Sequence, residues 1–166
     1  GLSLGASFGG HLAATGTSGP GVALKSEIMS LAFQVELPMV IVNVQRAGPS
    51  TGMPTKTEQS DLLQSMYGRN GESPLCIISC SRPTDCFDTA MEAVRIALTF
   101  MTPVILLSDG YIANGTGPWQ IPDPETFKPI QIRRPTDPSE FKPYERDEEL
   151  LARPWAIPGM PGFEHR

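Results

Sequence analysis

Two glycine-rich loops contain the residues of this chain that are best suited to bind a ligand. Residues 15–21 read Thr-Gly-Thr-Ser-Gly-Pro-Gly, and residues 46–55 contain one arginine, three hydroxyl side chains and two glycines. Both loops follow predicted strands, and ligands of open parallel sheets bind at the carboxyl ends of the strands. These loops are therefore the candidate binding segments.

The first loop can be either a binding segment or a tight turn into a helix. It lacks the Gly-Lys-Ser/Thr ending of a phosphate-binding loop and the GxGxxG pattern of dinucleotide-binding proteins. A predicted helix begins directly behind it, and backbone N–H groups at a helix N-terminus can bind an anion. The motif alone slightly favours the turn.

The second loop combines one cation with three hydroxyl groups. Arg46 follows a continuous apolar run, and Ser50, Thr51 and Thr55 come within nine positions of it. A guanidinium group binds a carboxylate or a phosphate through paired, parallel N–H bonds. The alternative is an arginine that caps backbone carbonyls or pairs with Asp61, and the residue types favour neither interpretation.

The cysteines and histidines match no common metal or hydrolase motif. Three and five residues separate Cys76, Cys80 and Cys86, which is not a usual zinc or iron–sulfur spacing. Free thiols on strands and helices are often simply buried, so we expect no metal site in this chain. His11 and His165 lie at opposite ends of the chain, which leaves a Ser-His hydrolase as a weak alternative.

Alternating strand and helix patterns before residue 109 must position both loops. Continuous apolar strands suit a parallel sheet that is covered on both faces. The order α-β-α-β-α-β-α-β predicts an α/β fold, with an open, mainly parallel sheet and helices on both faces. The predicted strands cover residues 12–15, 39–44, 75–81 and 104–107. The predicted helices cover residues 1–10, 22–37, 58–67 and 83–102.

Residues 110–166 lack this alternation and are rich in proline. Ten of the 17 prolines lie there, so we expect an extended Pro-rich C-terminal arm or interdomain linker with one short helix near residues 147–151. The predicted boundary separates a domain of residues 1–109 from this arm. Its candidate anchors are aromatic: Trp119, Phe127, Phe141, Tyr144, Trp155 and Phe163.

Composition and charge exclude several classes of protein. The 166 residues suffice for one domain with a sizeable core. A net charge of -5 with scattered basic residues argues against nucleic-acid binding. No long apolar run predicts a membrane span, and no signal peptide is recognisable. Three closely spaced cysteines suit a reducing compartment, so we expect a cytoplasmic protein.

Both loops resemble those of the alpha subunits of 2-oxoacid:ferredoxin oxidoreductases. The twelve residues of the second loop and its preceding strand are the most specific part of this resemblance. The resemblance covers roughly residues 1–125, and its last segments point to the 2-oxoglutarate branch. The similar segments are residues 14–21, 26–27, 44–55, 59–62, 106–109, 112–115 and 118–119.

The resemblance implies a fold, a reaction and a set of partners. Residues 1–109 would form part of the pyrimidine-side domain of a thiamine-diphosphate-binding fold. The family oxidatively decarboxylates a 2-oxoacid, here 2-oxoglutarate, to an acyl-coenzyme A and carbon dioxide, and it passes electrons to ferredoxin. Thiamine diphosphate would be shared with the beta subunit, and magnesium and iron–sulfur clusters would belong to partner subunits.

The resemblance also assigns roles to residues of both loops. Arg46 would hold the substrate carboxylate with help from Thr55, and Ser50 and Thr51 would shape the same loop. A carboxylate fixed in this way allows the adjacent C–C bond to break in a defined orientation. The segment near the aminopyrimidine would be Thr17, Ser18 and Gly19.

Two features of the family do not occur in this sequence. They are a Tyr-Pro-Ile-Thr-Pro segment and an acidic residue that hydrogen-bonds the aminopyrimidine, and both would precede Gly1. We therefore expect an N-terminally incomplete piece that contains no catalytic residue and is inactive alone. The alternatives are a non-catalytic α/β subunit-interaction domain, with the arm as a strap, and a pyruvate- or branched-chain-specific relative.

Overall fold

The computed structural model describes residues 1–165 and contains a four-stranded parallel sheet. The strands are β1 (Ala14–Thr17), β2 (Met39–Gln45), β3 (Cys76–Ser79) and β4 (Pro103–Asp109). Their order in the sheet is β1-β2-β4-β3, so the last strand in sequence lies between β2 and β3. β2 and β4 are central, and each begins with a continuous apolar run, as expected for strands that are covered on both faces.

Helices cover both faces of this sheet, which confirms the predicted α/β architecture. The helices are α1 (Leu2–Phe8), α2 (Gly19–Leu24), α3 (Ser26–Gln34), α4 (Leu62–Tyr67), α5 (Cys86–Phe100) and α6 (Gly110–Asn114). Successive residues of a strand point to opposite faces. Ile41 and Ile105 therefore pack with α2 and α3, while Val40 and Val104 pack with α5 and α6.

Several predicted boundaries were wrong by a few residues. The single helix predicted for residues 22–37 is two helices, because Lys25 leaves the helical conformation between α2 and α3. α2 also begins earlier, at Gly19, with Pro20 in the first turn, where its missing N–H is tolerated. β1 extends to Thr17 because its backbone pairs with β2 as far as Asn43.

The predicted helix near residues 147–151 is a single turn instead. The backbone N–H of Leu151 donates to the Asp147 carbonyl at 2.9 Å, and the Asp147 carboxylate accepts from the N–H groups of Glu149 and Leu150. Leu151 has a φ of +53°, which lies in the left-handed region and ends the turn. Beyond α6, the described residues contain one 3-10 turn at Pro124–Thr126 and no strand.

The end of the chain packs back onto the sheet domain. Trp155 is only 1% exposed, and its indole Nε1 donates to the Ser7 carbonyl at 3.2 Å. Glu36, directly after α3, forms ion pairs with Arg146 and Arg153. Within residues 1–165, no helix has the length and apolar character needed to cross a membrane.

Candidate functional site

The two glycine-rich loops meet at the carboxyl ends of β1 and β2. Between them lies a cleft of about 670 Å³. Its wall combines the start of α2 with the second loop and the segment before α4, as expected for a ligand site in an open parallel sheet. Its lining residues include Gly19, Pro20, Arg46, Ser50, Asp61 and Gln64.

Arg46 lines this cleft, and within residues 1–165 its guanidinium group has no hydrogen bond or ion pair. Its Nε is buried and has no hydrogen-bond partner among residues 1–165, and none of the ion pairs found there includes Arg46. Asp61, the alternative partner suggested by the sequence, accepts instead from Asn43 Nδ2 at 3.1 Å. An unpaired buried guanidinium nitrogen is costly, so Arg46 is suited to bind an anionic ligand.

The second loop is held by its own backbone hydrogen bonds. The N–H of Ala47 donates to the Lys56 carbonyl at 2.9 Å, and the N–H of Met53 donates to the Ala47 carbonyl at 3.2 Å. Gly52 has a φ of +39°, and a Cβ there would lie 2.5 Å from the Ala47 carbonyl oxygen. The loop therefore requires glycine at this position.

The hydroxyl residues of the second loop do not all face the cleft. Ser50 lines it together with Arg46. Thr51 and Thr55 are exposed on the same loop and are not among the lining residues. The structure thus brings Ser50 and Arg46 together and leaves the two threonines on the outer surface of the loop.

The first loop contributes residues at the end of β1 and the start of α2. Thr17 ends β1, and its Oγ1 accepts from Lys25 Nζ at 3.2 Å. Ser18 occupies the position before α2 but makes no side-chain capping hydrogen bond. Gly19 lines the cleft, and a Cβ there would lie 2.8 Å from Asp61 Oδ2. Residue 19 therefore has little room for a side chain.

A polar network that the sequence analysis missed joins β2 to the segment before α4. Asn43 is fully buried, and its Oδ1 lacks a hydrogen-bond partner within the described residues. Gln45 accepts from the Asp61 N–H at 2.9 Å and donates to the Ser108 carbonyl at 3.1 Å. The available signal was two polar residues in an otherwise apolar strand, since buried amides require partners.

A further hydrogen bond attaches the segment before α4 to β4. Gln59 Nε2 donates to Asp109 Oδ2 at 2.6 Å, while Asp109 Oδ1 caps α6 by accepting from the N–H groups of Tyr111 and Ile112. Burial raises the pKa of Asp109, but the hydrogen bonds from Gln59, Ile112 and Tyr111 outweigh it and leave the pKa below its usual value. Asp109 is therefore stabilised as a carboxylate.

We expect Asp109 to make the stability of the domain fall in acid. Its folded pKa lies below the unfolded value of about 3.9. Its stabilising contribution is thus complete above that value and is lost as the pH falls through the folded pKa. The Asp109→Asn variant should show a shallower loss of unfolding free energy between about pH 6 and pH 3 by urea denaturation.

The control for this measurement is Asp88→Asn, which alters an exposed carboxylate on α5. This variant should change the pH slope less than Asp109→Asn does. An Asp109→Asn variant with the same pH slope as the unaltered chain would show that the hydrogen bonds of Asp109 do not favour its charged form.

Comparison with known protein families shows which family this chain belongs to. The family described as "Pyruvate flavodoxin/ferredoxin oxidoreductase, thiamine diP-bdg" matches residues 1–166. The chain belongs to this family. The resemblance found in the two loops is thereby confirmed over the whole sequence.

Two curated relatives of this family are similar over nearly the whole chain. The 2-oxoglutarate oxidoreductase subunit KorA of Mycobacterium tuberculosis is 59% identical over 165 residues, which are 98% of this chain and 25% of the relative. Subunit alpha of 2-oxoacid:ferredoxin oxidoreductase 1 of Aeropyrum pernix is 42% identical over 158 residues, 91% of this chain and 24% of the relative. The chain thus spans about a quarter of these proteins.

A solved structure from the same family shares the fold of this chain. It is the 2-oxoglutarate:ferredoxin oxidoreductase from Magnetococcus marinus with 2-oxoglutarate, coenzyme A and succinyl-CoA bound. The TM-score is 0.90 at 41% sequence identity, and the match covers 99% of this chain and 29% of that chain. The parallel sheet and its helices are therefore the fold of one part of such an enzyme.

Proposed function

We propose that this chain is part of the alpha subunit of a 2-oxoacid:ferredoxin oxidoreductase that acts on 2-oxoglutarate. The reaction is oxidative decarboxylation to an acyl-coenzyme A and carbon dioxide, with the electrons passed to ferredoxin. The observation that carries this proposal is Arg46 in the cleft between the two loops, where its buried Nε has no hydrogen-bond partner among residues 1–165. The names of the M. tuberculosis and M. marinus relatives support 2-oxoglutarate as the substrate.

In this proposal, the second loop binds and orients the 2-oxoacid. Arg46 binds a substrate carboxylate through paired N–H bonds, which fixes the carboxylate for loss as carbon dioxide. Ser50, which lines the cleft, and Thr51 shape the loop around Arg46. Thr55 would assist recognition after a movement of the loop, because it is exposed outside the cleft wall.

The residues at the end of β1 fit one side of thiamine diphosphate. Thr17 is the register partner of Asn43, whose buried Oδ1 lacks a partner in the part of the chain that the structure describes. A polar ligand at this edge would satisfy that atom. Thr17, Ser18 and Gly19 would hold the aminopyrimidine side. When bound, thiamine diphosphate supplies the nucleophilic carbon and the electron sink for decarboxylation.

The remaining machinery would come from other parts of the assembly. We assign magnesium and the iron–sulfur clusters to partner subunits and propose that the beta subunit shares thiamine diphosphate with this chain. Coenzyme A takes the acyl group, ferredoxin takes the electrons, and the cytoplasm is the compartment. This chain would position substrate and cofactor without supplying a catalytic residue.

We propose that residues 110–166 act as a Pro-rich arm that leads from the sheet domain of residues 1–109 to another part of the assembly. Its exposed apolar side chains support this role, since Ile121 is 79% and Trp119 is 46% exposed. Its far end is attached through Trp155, so the arm would leave the domain and return to it.

An anaerobic assay of the purified complex that contains this chain tests the proposed function. The assay follows viologen reduction with coenzyme A and 2-oxoglutarate, pyruvate or a branched-chain 2-oxoacid. We expect reduction with 2-oxoglutarate preferred. Preference for another 2-oxoacid would correct the substrate. No reduction, from a complex with its cofactors in place, would favour a non-catalytic interaction domain.

A further inference from the structure

Two cysteines and a carboxylate lie together on the opposite side of β2 from the first loop, at the turn between β3 and α5. One ligand atom from each of Cys80, Asp85 and Cys86 lies within 4.8 Å of the other two. Cys80 directly follows β3 and is 5% exposed, whereas Asp85 and Cys86 are half-buried at the start of α5. Both thiols are free. None of these residues lines the cleft of the proposed substrate site.

The local backbone explains why residues six positions apart in sequence come together. The Cys80 N–H donates to the Leu107 carbonyl at 3.0 Å, which fixes the end of β3 against β4. A 3-10 turn at Pro83–Asp85 then reverses the chain, and α5 begins at Cys86. This turn brings Cys86 back towards Cys80, so a spacing that matches no common metal motif still forms a compact cluster.

The Asp85 carboxylate is already oriented by hydrogen bonds. Its oxygens accept from the N–H and hydroxyl groups of Ser81 and from the N–H of Arg82. Metal-binding carboxylates commonly have such supporting hydrogen bonds, which fix their orientation.

We propose that Cys80, Asp85 and Cys86 form a binding site for a thiophilic divalent cation, with Zn²⁺ as the best match. Thiolate and carboxylate oxygen are usual zinc ligands, and ligand atoms around a tetrahedral zinc ion lie about 3.3–3.8 Å apart. The separations in this cluster therefore require only small side-chain rotations. Because Asp85 and Cys86 are half-exposed, a water molecule can complete the four ligands.

A bound divalent cation would offset the negative charges of the three ligands. Such a cation would also stabilise the thiolate form of Cys80, which is 5% exposed at the end of β3. Two thiolates, the Asp85 carboxylate and one divalent cation together carry a single negative charge. Of the three ligands, the two cysteines line the adjacent apolar environment and Asp85 does not.

That apolar environment is a cavity of about 380 Å³ at the carboxyl end of the sheet. Cys80 and Cys86 line it together with Val42, Leu106 and Ile112. A cation held at its edge would join the end of β3 to the start of α5. The site would therefore stabilise this corner of the fold, at a distance from the proposed substrate loop.

Thiol protection in the intact, purified protein that contains this chain tests the proposal. The protein is treated with a chelator under anaerobic conditions, incubated with or without Zn²⁺, and exposed briefly to N-ethylmaleimide. Peptide mass spectrometry then gives the alkylation rate of each cysteine. We expect Zn²⁺ to slow the alkylation of Cys86 and Cys80 at least about tenfold. Cys76 is an internal control and should react at the same rate in both samples.

Three variants separate this site from adventitious binding. Cys80→Ser should abolish the protection of Cys86, and Asp85→Asn should raise the Zn²⁺ concentration needed for protection by roughly 10- to 100-fold. Cys76→Ser should leave the protection unchanged. Equal alkylation of Cys86 with and without Zn²⁺ would overturn the proposal, and so would protection that persists in Cys80→Ser.

Discussion

Replacing Arg46 with alanine is expected to lower kcat/KM for the 2-oxoacid by roughly 30- to 4000-fold, equivalent to about 2–5 kcal/mol. The guanidinium group lines the cleft, and its buried Nε has no partner within the described residues. Its loss would leave the substrate carboxylate without its paired N–H donors and without a fixed orientation. The measurement is viologen reduction by the complex over a range of 2-oxoacid concentrations.

Two further variants show whether the loss in Arg46→Ala comes from the missing N–H donors at this position. Arg46→Lys keeps the charge but removes the planar pair of N–H donors, so we expect an intermediate loss. Arg95→Ala is the matched control, since Arg95 is an exposed arginine on α5 that pairs with Glu92. An unchanged kcat/KM in Arg46→Ala would contradict the proposed role.

Comparison of two substrates shows which carboxylate Arg46 binds. Every 2-oxoacid has a carboxylate next to the keto group, and 2-oxoglutarate has a second one at its far end. If Arg46 holds the first carboxylate, Arg46→Ala should weaken the use of pyruvate and 2-oxoglutarate by similar factors. A loss confined to 2-oxoglutarate would assign Arg46 to the second carboxylate and to substrate selection.

The fold was predictable where local sequence and burial agree. β2 and β4 each contain a continuous apolar run, and their bounds were predicted to within two residues. β1 was harder, because Gly16 and Thr17 have the composition of a loop and are strand residues only through pairing with β2. The break between the two helices at Lys25 could not be predicted either, because the apolar spacing continues through α2 and α3.

The candidate site was predictable only in part, because hydrogen bonds between distant residues complete it. Arg46 and the first loop were identified from residue type and position after a strand. The bond between Asn43 and Asp61 joins residues 18 positions apart, and that between Gln59 and Asp109 joins residues 50 apart. Such pairs depend on the order of strands in the sheet, which the local pattern does not specify.

The C-terminal segment also combines features that its local sequence predicts with contacts that depend on residues far away in the sequence. Its proline content predicts irregular structure, and its aromatic residues were candidate anchors. Their partners follow from the tertiary fold: Trp119 and Phe127 pack on Phe87 of α5, whereas Trp155 enters a core with Leu98 and Met101. Irregular backbone and firm attachment to the domain are therefore compatible in this segment.

Replacing Trp155 with alanine is expected to lower the free energy of unfolding by about 3–5 kcal/mol. The indole is 1% exposed, its Nε1 donates to the Ser7 carbonyl, and the Arg134 guanidinium lies 5.2 Å from the ring centroid. Alanine would leave a cavity among Leu98, Met101 and Ala152 and remove the hydrogen bond. Urea denaturation of the purified chain measures this loss.

Trp119→Ala is the matched control, because Trp119 is 46% exposed and packs on the ring of Phe87. This variant should lower the free energy of unfolding much less than Trp155→Ala does. If residues 110–166 were a linker independent of the sheet domain, both variants would have similarly small effects. A large loss confined to Trp155→Ala, with faster hydrogen–deuterium exchange in α1 and α5, would instead show that the chain end completes the domain core, because the buried indole bridges those two helices.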